Sequence, residues 1–308
     1  MNYHQPVLLK ECLDGLQIKP DGVYVDVTFG GGGHSKAILE RLGANGKLFA
    51  FDQDNDAEKN IPADARLTFI PQNFMYMKNF LRMYEATQVD GILADLGVSS
   101  HQFDEAERGF SIRFEADLDM RMNQQSKKTA ATVLNEYDEN QLKHIFRAYG
   151  EVENAYKLVK LITDARITQP ISTTEQLKTI IAPCTPKFKD HQYLAKVFQA
   201  LRIEVNNEID VLKELLTQSL EVLNEGGRLV VMSYHSLEDR LVKNFMKTGN
   251  FEGDVIKDFY GNIARPFELI TKKPLTPSEE EIERNSRSRS AKLRVAEKVQ
   301  LIKGNLKK

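Results

Sequence analysis

The chain has 308 residues, 41% hydrophobic and 28% charged, with a formal net charge of −2. That is the make-up of a globular protein of one large domain or two modest ones, without the bulk positive charge that grips nucleic acid nonspecifically. No apolar run approaches a membrane span, MNYHQPVLLKECL has no basic region followed by an apolar core, and two cysteines, Cys12 and Cys184, are too few for a disulfide framework or a zinc site; the expectation is a cytoplasmic chain with reduced thiols, no membrane segment and no signal peptide.

Residues 1–22 carry a short helix around Lys10–Leu16, placed to pack on a sheet edge or to cover a ligand. The β-branched run Tyr24–Thr28 follows as a strand, then four glycines, Gly30 to Gly33, and then Lys36–Leu42 with its apolar residues at helical spacing. Strand, glycine loop and helix form the first βα turn of a nucleotide-binding sheet, where backbone must come closer to a ligand than a Cβ allows. A phosphate-gripping P-loop is excluded, because Ser35-Lys36-Ala37 lacks the second glycine and the metal-binding hydroxyl. A dinucleotide fingerprint departs only at Ser35, and S-adenosylmethionine needs no more than close backbone approach. The second strand, Lys47–Phe51, ends at Asp52, a carboxylate suited to the two hydroxyls of an adenosine ribose. NAD and S-adenosylmethionine both carry that ribose, so the choice between them stays open at this point.

Arg66–Ile70 and Val89–Leu96 read as strands three and four, with Gln72–Phe74 opening a helix between them. This alternation gives parallel β-α-β units whose ligands collect at the carboxyl ends of the strands, near Asp52, Phe74 and Asp95. From about Asp104 to Asn206 the pattern turns helical: Thr129–Tyr137, Glu139–Tyr149, Asn154–Thr168, Thr173–Ala182 and Gln192–Val205. The expected architecture is therefore α/β, a sheet domain of residues 1–103 and 207–308 interrupted by an all-helical insert at 104–206. The sheet resumes with a helix at Glu208–Leu223, a turn at Gly226-Gly227, strand five at Arg228–Ser233 and a helix over Leu237–Lys247. Val255-Ile256 and Phe267–Thr271 are expected as a terminal antiparallel pair. From Arg284 the chain is rich in Arg and Lys (Arg284, Arg287, Arg289, Lys292, Arg294, Lys298, Lys303, Lys307, Lys308) against one acid, Glu297, which suggests a phosphate-contacting arm. Lys187-Phe188-Lys189-Asp190-His191 interleaves basic and aromatic residues; it is either an RNA contact or a solvated loop. Arg113 and Arg121 are candidates for substrate phosphate. From the residues alone, an NAD-dependent oxidoreductase, a non-catalytic RNA-binding assembly factor and a methyltransferase acting on DNA or protein all share these features.

Several segments taken together resemble one family: HQPVLLKE at 4–11, DVTFGGGGHS at 26–35, DGILADLGVSSHQFD at 90–104, ERGFS and DLDMRM within 107–122, YGEVENA at 149–155, SYHSLEDRLVK at 233–243 and TPSEEEIERNSRSRSAKLRVAEK at 276–298. They are similar to the bacterial 16S ribosomal RNA (cytosine-N4)-methyltransferases. The resemblance implies a Rossmann-like class I methyltransferase sheet, mostly parallel with an antiparallel final strand, and S-adenosylmethionine as cofactor. It also implies 16S rRNA of the small ribosomal subunit, at a decoding-centre cytidine, as partner, with a homodimer left open. Carried over by position, the cofactor contacts are Gly32, Gly33, His34, Asp52, Phe74, Asp95 and Gln102. For chemistry the candidates are Asp95, which can hydrogen-bond the N4 protons, and His235, just past strand five, which can meet the base or a phosphate. An aromatic, Phe103 or Tyr234, is expected to cap the unstacked base. The sequence departs from the Asp/Asn-Pro-Pro-aromatic motif common among enzymes that methylate such amines, having Asp95-Leu96-Gly97-Val98 instead.

Overall fold

The computed structural model describes residues 6–255, 257 and 265–299. His4, Gln5, Ile256, Lys303, Lys307 and Lys308, to which expectations were attached, lie outside them. The chain divides into two compact units, residues 1–97 with 210–308, and residues 98–209.

The first unit is a seven-stranded sheet in the order β3-β2-β1-β4-β5-β7-β6. In chain order its elements are α1 (Leu9–Leu16), β1 (Val23–Asp26), α2 (Gly33–Arg41), β2 (Lys47–Phe51), β3 (Leu67–Ile70), α3 (Met77–Met83) and β4 (Val89–Asp95). The strands β1 to β4 and β5 (Leu223–Ser233) run parallel, as their near-continuous buried apolar runs require of strands covered on both faces. Successive side chains alternate between faces. Tyr24, Leu48, Leu93, Val230 and Met232 point to one layer with Cys12, Leu13 and Leu16 of α1 and Ile38 and Leu39 of α2. Val25, Phe49, Phe51, Ile92, Ala94, Leu229 and Val231 point to the other, with Met77 and Leu81 of α3. So α1 covers a sheet face, not an edge.

Strand β5 begins earlier than Arg228 because it contains a bulge: Val89 pairs with Leu223 but Gly91 with Arg228, and Gly226 takes φ +75° in the loop between. The end of the chain overturns two expectations. Among the described residues the antiparallel partner of β6 (Phe267–Leu269) is β7 (Lys292–Lys298), and Val255 lies outside any strand. And β7 runs antiparallel between β5 and β6, inside the sheet, so residues 292–298 are no free arm. Leu293 and Val295 fill the face under α1. Arg294 pairs with Asp239 (Nε to Oδ1, 2.7 Å), Glu297 with Arg228 (2.7 Å), and the Lys298 ammonium donates to the Leu223 carbonyl at 2.6 Å. Charged residues alternating with Leu, Val and Ala conceal a strand whose polar side chains find partners within the sheet unit.

The second unit is helical: α4 (Ser100–Asp104), α5 (Ala130–Glu136), α6 (Glu139–Ala148), α7 (Ala155–Thr168), α8 (Thr174–Ile181) and α9 (Asp190–Asn206). Amphipathic stripes place Leu142, Ile145 and Phe146 of α6, Leu158 and Ile162 of α7, Leu177 of α8 and Val197 and Leu201 of α9 in one core. Capping boxes open three of these helices, at Ser99/Gln102, Asp138/Gln141 and Thr173/Gln176. The unit spans 98–209, where the sequence suggested 104–206, because Val98 and Phe103 already pack on the helical core. The helix α10 (Glu208–Val222) then leads into β5, followed by α11 (Ser236–Thr248), β6, α12 (Glu279–Arg284) and β7.

Candidate active site

The glycine loop lies past the carboxyl end of β1 and is tied down from below. Buried Asp26 accepts from the Ser35 hydroxyl (2.7 Å) and from the Thr28 amide (3.1 Å), clamping strand end to helix start. Gly30 and Gly32 have φ of +51° and +74°, the left-handed region in which a side chain is strained. A Cβ on Gly33 would stand 2.4 Å from the ring of Pro6, so this glycine is required by close packing of the N-terminal segment. Gly31 is exposed, and a Cβ there would meet no atom within 4 Å. The loop thus offers bare backbone on one side and is fully supported on the other.

Asp52 sits just past β2, half-buried. One carboxylate oxygen accepts from the Gly30 amide (2.7 Å) and the other from the Asp54 amide (2.8 Å). Each oxygen keeps a further acceptor direction, which fits a pair of ribose hydroxyls. Burial pushes the Asp52 carboxyl up to about 6, against the pull of the Asp54 and Gly30 amides, and the Asp54 and Asp26 charges add to the rise. Beyond β3, Asn73 donates to Gln53 Oε1 (2.9 Å) and accepts from the Met75 amide (2.9 Å), fixing the single turn that carries half-buried Phe74.

At the end of β4 the carboxylate of Asp95 has its side chain one quarter exposed. The Tyr234 hydroxyl donates to its Oδ1 at 2.8 Å, and His34 Nδ1 stands 3.8 Å from its Oδ2. His34 is buried, with its Nε2 3.2 Å from the Val7 carbonyl, so its ring is aimed by the N-terminal segment at one end and at Asp95 by the other. The Thr28 hydroxyl accepts from the Asp95 amide at 2.7 Å. Burial pushes Asp95 up to about 6; His34 and the Tyr234 hydroxyl pull it down, while Asp26 and Glu238 push it further. Burial and the Asp95 charge hold the Tyr234 phenol well above its ordinary value, so it stays a donor.

Three carboxylates, Asp26, Asp52 and Asp95, therefore lie around the glycine loop, and the Asp26 charge adds to the rise of the other two. Such a field welcomes a cation and repels a pyrophosphate. The donor set fits an adenosyl sulfonium: acid for ribose, aromatic beside it, first-turn amides of α2 for a carboxylate, and a negative wall for the sulfonium.

The structure thus brings Gly32, Gly33, His34, Asp52 and Asp95 together in one unit, with Phe74 on the turn after β3. His235 is the N-cap of α11: its Nδ1 accepts from the Glu238 amide (3.4 Å), and its Nε2 lies 3.1 Å from Glu238 Oε1. Its ring is folded back on that turn. Tyr234 is held by Asp95, and Phe103 packs on the helical core, so neither is a loose aromatic cap. In the helical unit, Gln102 is buried and its Oε1 accepts from the Ser99 amide at 3.0 Å. Arg121 chelates Asp119 at 2.7 and 2.6 Å and donates to the Gln124 and Ser126 carbonyls; it holds its own loop, not a phosphate. Arg113 is exposed. Asp26 and Tyr234 were missed as members of the acid cluster; the only signal was the position of each at a strand's carboxyl end.

A family model described as the MraW methylase family matches residues 1–299. The chain is similar to proteins named ribosomal RNA small subunit methyltransferase H from several bacteria. That of Parabacteroides distasonis is 58% identical over 298 residues, covering 96% of this chain and 98% of the relative. That of Christiangramia forsetii is 59% identical over 299 residues, covering 97% and 99%, and that of Flavobacterium psychrophilum is 60% identical over 291 residues, covering 94% and 100%. On a match that spans nearly its whole length, the chain belongs to the MraW methylase family.

Proposed function

We propose that this chain is an S-adenosylmethionine-dependent methyltransferase that modifies the exocyclic N4 of a cytidine in the decoding centre of 16S ribosomal RNA. The names of its relatives support the RNA substrate, and the motif resemblance supports the acceptor atom. One observation carries the local reading: Asp95, held by Tyr234 and faced by His34, stands beside a glycine loop ringed by carboxylates.

Bound S-adenosylmethionine supplies a methyl group activated by a sulfonium. The protein's share is positioning and proton handling. Asp52 accepts the ribose hydroxyls from a carboxylate already oriented by two amides. Gly32, Gly33 and the first-turn amides through His34 would hold the amino-acid end and Phe74 the adenine, and Gln102 is proposed as a contact on the resemblance alone. Asp95 accepts the hydrogen bond of the N4–H. An amine whose lone pair is delocalised into the ring attacks weakly, and it must shed a proton as the new N–C bond forms. Asp95, with a carboxyl pushed up to about 6, is matched to receive that proton at an oxygen near neutral pH. We assign His235 to shaping the turn after β5, which places Tyr234 against Asp95.

The test is methyl transfer from labelled S-adenosylmethionine to small subunits that lack the modification, with nucleosides resolved by mass. Label in N4-methylcytidine is the expected result. Label in another nucleoside or in protein removes the acceptor assignment, and binding of NAD in place of S-adenosylmethionine removes the reading altogether.

A further inference from the structure

The loop between α8 and α9 carries Phe188 with 99% of its surface exposed. Its φ is +63°, a region that a bulky side chain rarely enters without strain. The residue occupies the third place of a four-residue turn closed by the Lys189 amide on the Pro186 carbonyl (3.1 Å), where Gly or Asn is the unstrained choice. The loop is not slack. Asn154 donates to the Cys184 carbonyl (2.7 Å) and Lys157 to the Pro183 carbonyl (2.8 Å); the Thr185 hydroxyl donates to Ile181 (3.2 Å), and the Tyr193 amide to Lys189 (2.9 Å). Bonds on both sides fix a turn whose tip is one bare phenyl ring. Lys187, Lys189 and His191 flank it, all exposed. The nearest acid in sequence, Asp190, stands in the first turn of α9, where the helix dipole opposes its charge.

Folding gains nothing from a ring that touches nothing, and a rigid, strained mount keeps it pointing outward. A single ring is too small to anchor a protein interface, which buries upwards of about 1,000 Å², but it matches the face of one base. We propose that Phe188 is a stacking post for an unpaired base of the RNA substrate, with Lys187 and Lys189 on the adjoining phosphates. The proposal rests on the reading of this chain as an RNA methyltransferase and adds a contact on the helical unit that grips the substrate.

The chain has no tryptophan, so Phe188→Trp installs the one tryptophan, excited selectively beyond the tyrosine band. Its emission is expected to be quenched saturably by small subunits lacking the modification. Replacing Phe188 with p-benzoylphenylalanine is expected to give a photo-crosslink to a nucleotide. Phe188→Gly, which relieves the strained turn, should raise KM for the subunit about ten-fold or more while kcat and the cofactor Kd stay as in wild type. Unchanged emission on bound subunits, an unaltered KM, or a crosslink to a ribosomal protein in place of RNA overturns the stacking contact. If wild-type protein transfers no methyl group while quenching and the RNA crosslink persist, the activity fails and the stacking contact stands.

Discussion

Burial pushes the Asp52 and Asp95 carboxyls up to about 6, because it outweighs the hydrogen bonds that favour their charged forms. A folded-state pKa above the unfolded one means that the native protein binds the proton more tightly. On account of these two groups, the ligand-free fold is therefore most stable below about pH 4 and loses that increment as the pH rises through 6. Cofactor binding runs the other way, since ribose hydroxyls and a sulfonium both need carboxylates. Affinity for S-adenosylmethionine should weaken below pH 6, and binding at pH 6 should release protons; calorimetry in buffers of different ionisation heat reads this directly. Asp52→Asn should weaken binding at least ten-fold, since one of the two amides it serves then faces an NH2 group, and should remove its share of the released protons. The Tyr234 hydroxyl, by donating to Asp95, favours the ionised carboxylate. Tyr234→Phe should accordingly move the acid limb of the kcat profile, read at saturating cofactor, to higher pH; a profile that lies on the wild-type curve would show that Asp95 carries no proton in the rate-limiting step.

At the level of elements, most of the sheet was legible because parallel strands buried on both faces need short apolar runs, and Ile92–Ala94 and Leu48–Phe51 supply them. The helices of the second unit were legible for a similar reason: stripes, caps and breakers agree, as in Asp138/Gln141 opening α6. What sequence reading missed lies where distant residues decide. Lys292–Lys298 looks like a basic arm until Asp239, Arg228 and the Leu223 carbonyl, 53 or more positions away in the chain, absorb its charges. Asp95 is visible as a candidate from its strand end alone, whereas Tyr234 joins it only through a bond spanning 139 positions. The β7 assignment has a measurable consequence. Arg294 is nearly buried beside Asp239, so Arg294→Met strands a carboxylate that only Lys292, at 3.5 Å, partly offsets. Unfolding by urea should show a loss of about 3 kcal/mol. Adding Asp239→Leu should recover most of it, because a buried ion pair replaced as a whole by apolar groups costs little. A free RNA-binding arm would instead lose RNA affinity and keep its stability.

On the scale of the molecule, the chain builds two cores that share none of their buried residues. One is the layer on either side of the sheet, the other the helical cluster around Phe146 and Leu201. Asp52, Phe74 and Asp95 all belong to the sheet unit, and Phe188 to the helical unit. Cores of this size unfold as cooperative units, and a ligand that binds one native unit stabilises that unit by mass action. Scanning calorimetry of the intact chain should resolve two transitions. S-adenosylmethionine at a hundred times its Kd should raise the transition of the sheet unit by the equivalent of about 2.7 kcal/mol, and any rise of the other transition reads the share of binding that Gln102 contributes. Phe146→Ala, which empties a fully buried ring from the helical core, should lower only the second transition, by about 3–5 kcal/mol. Its kinetic signature follows from the same division: cofactor affinity falls only by what Gln102 contributes, while methyl transfer to the subunit fails once the helical unit melts. If both transitions move together with the cofactor, the two cores unfold as one and donor binding is coupled to the order of the helical unit; separate movement means that the two cores unfold independently.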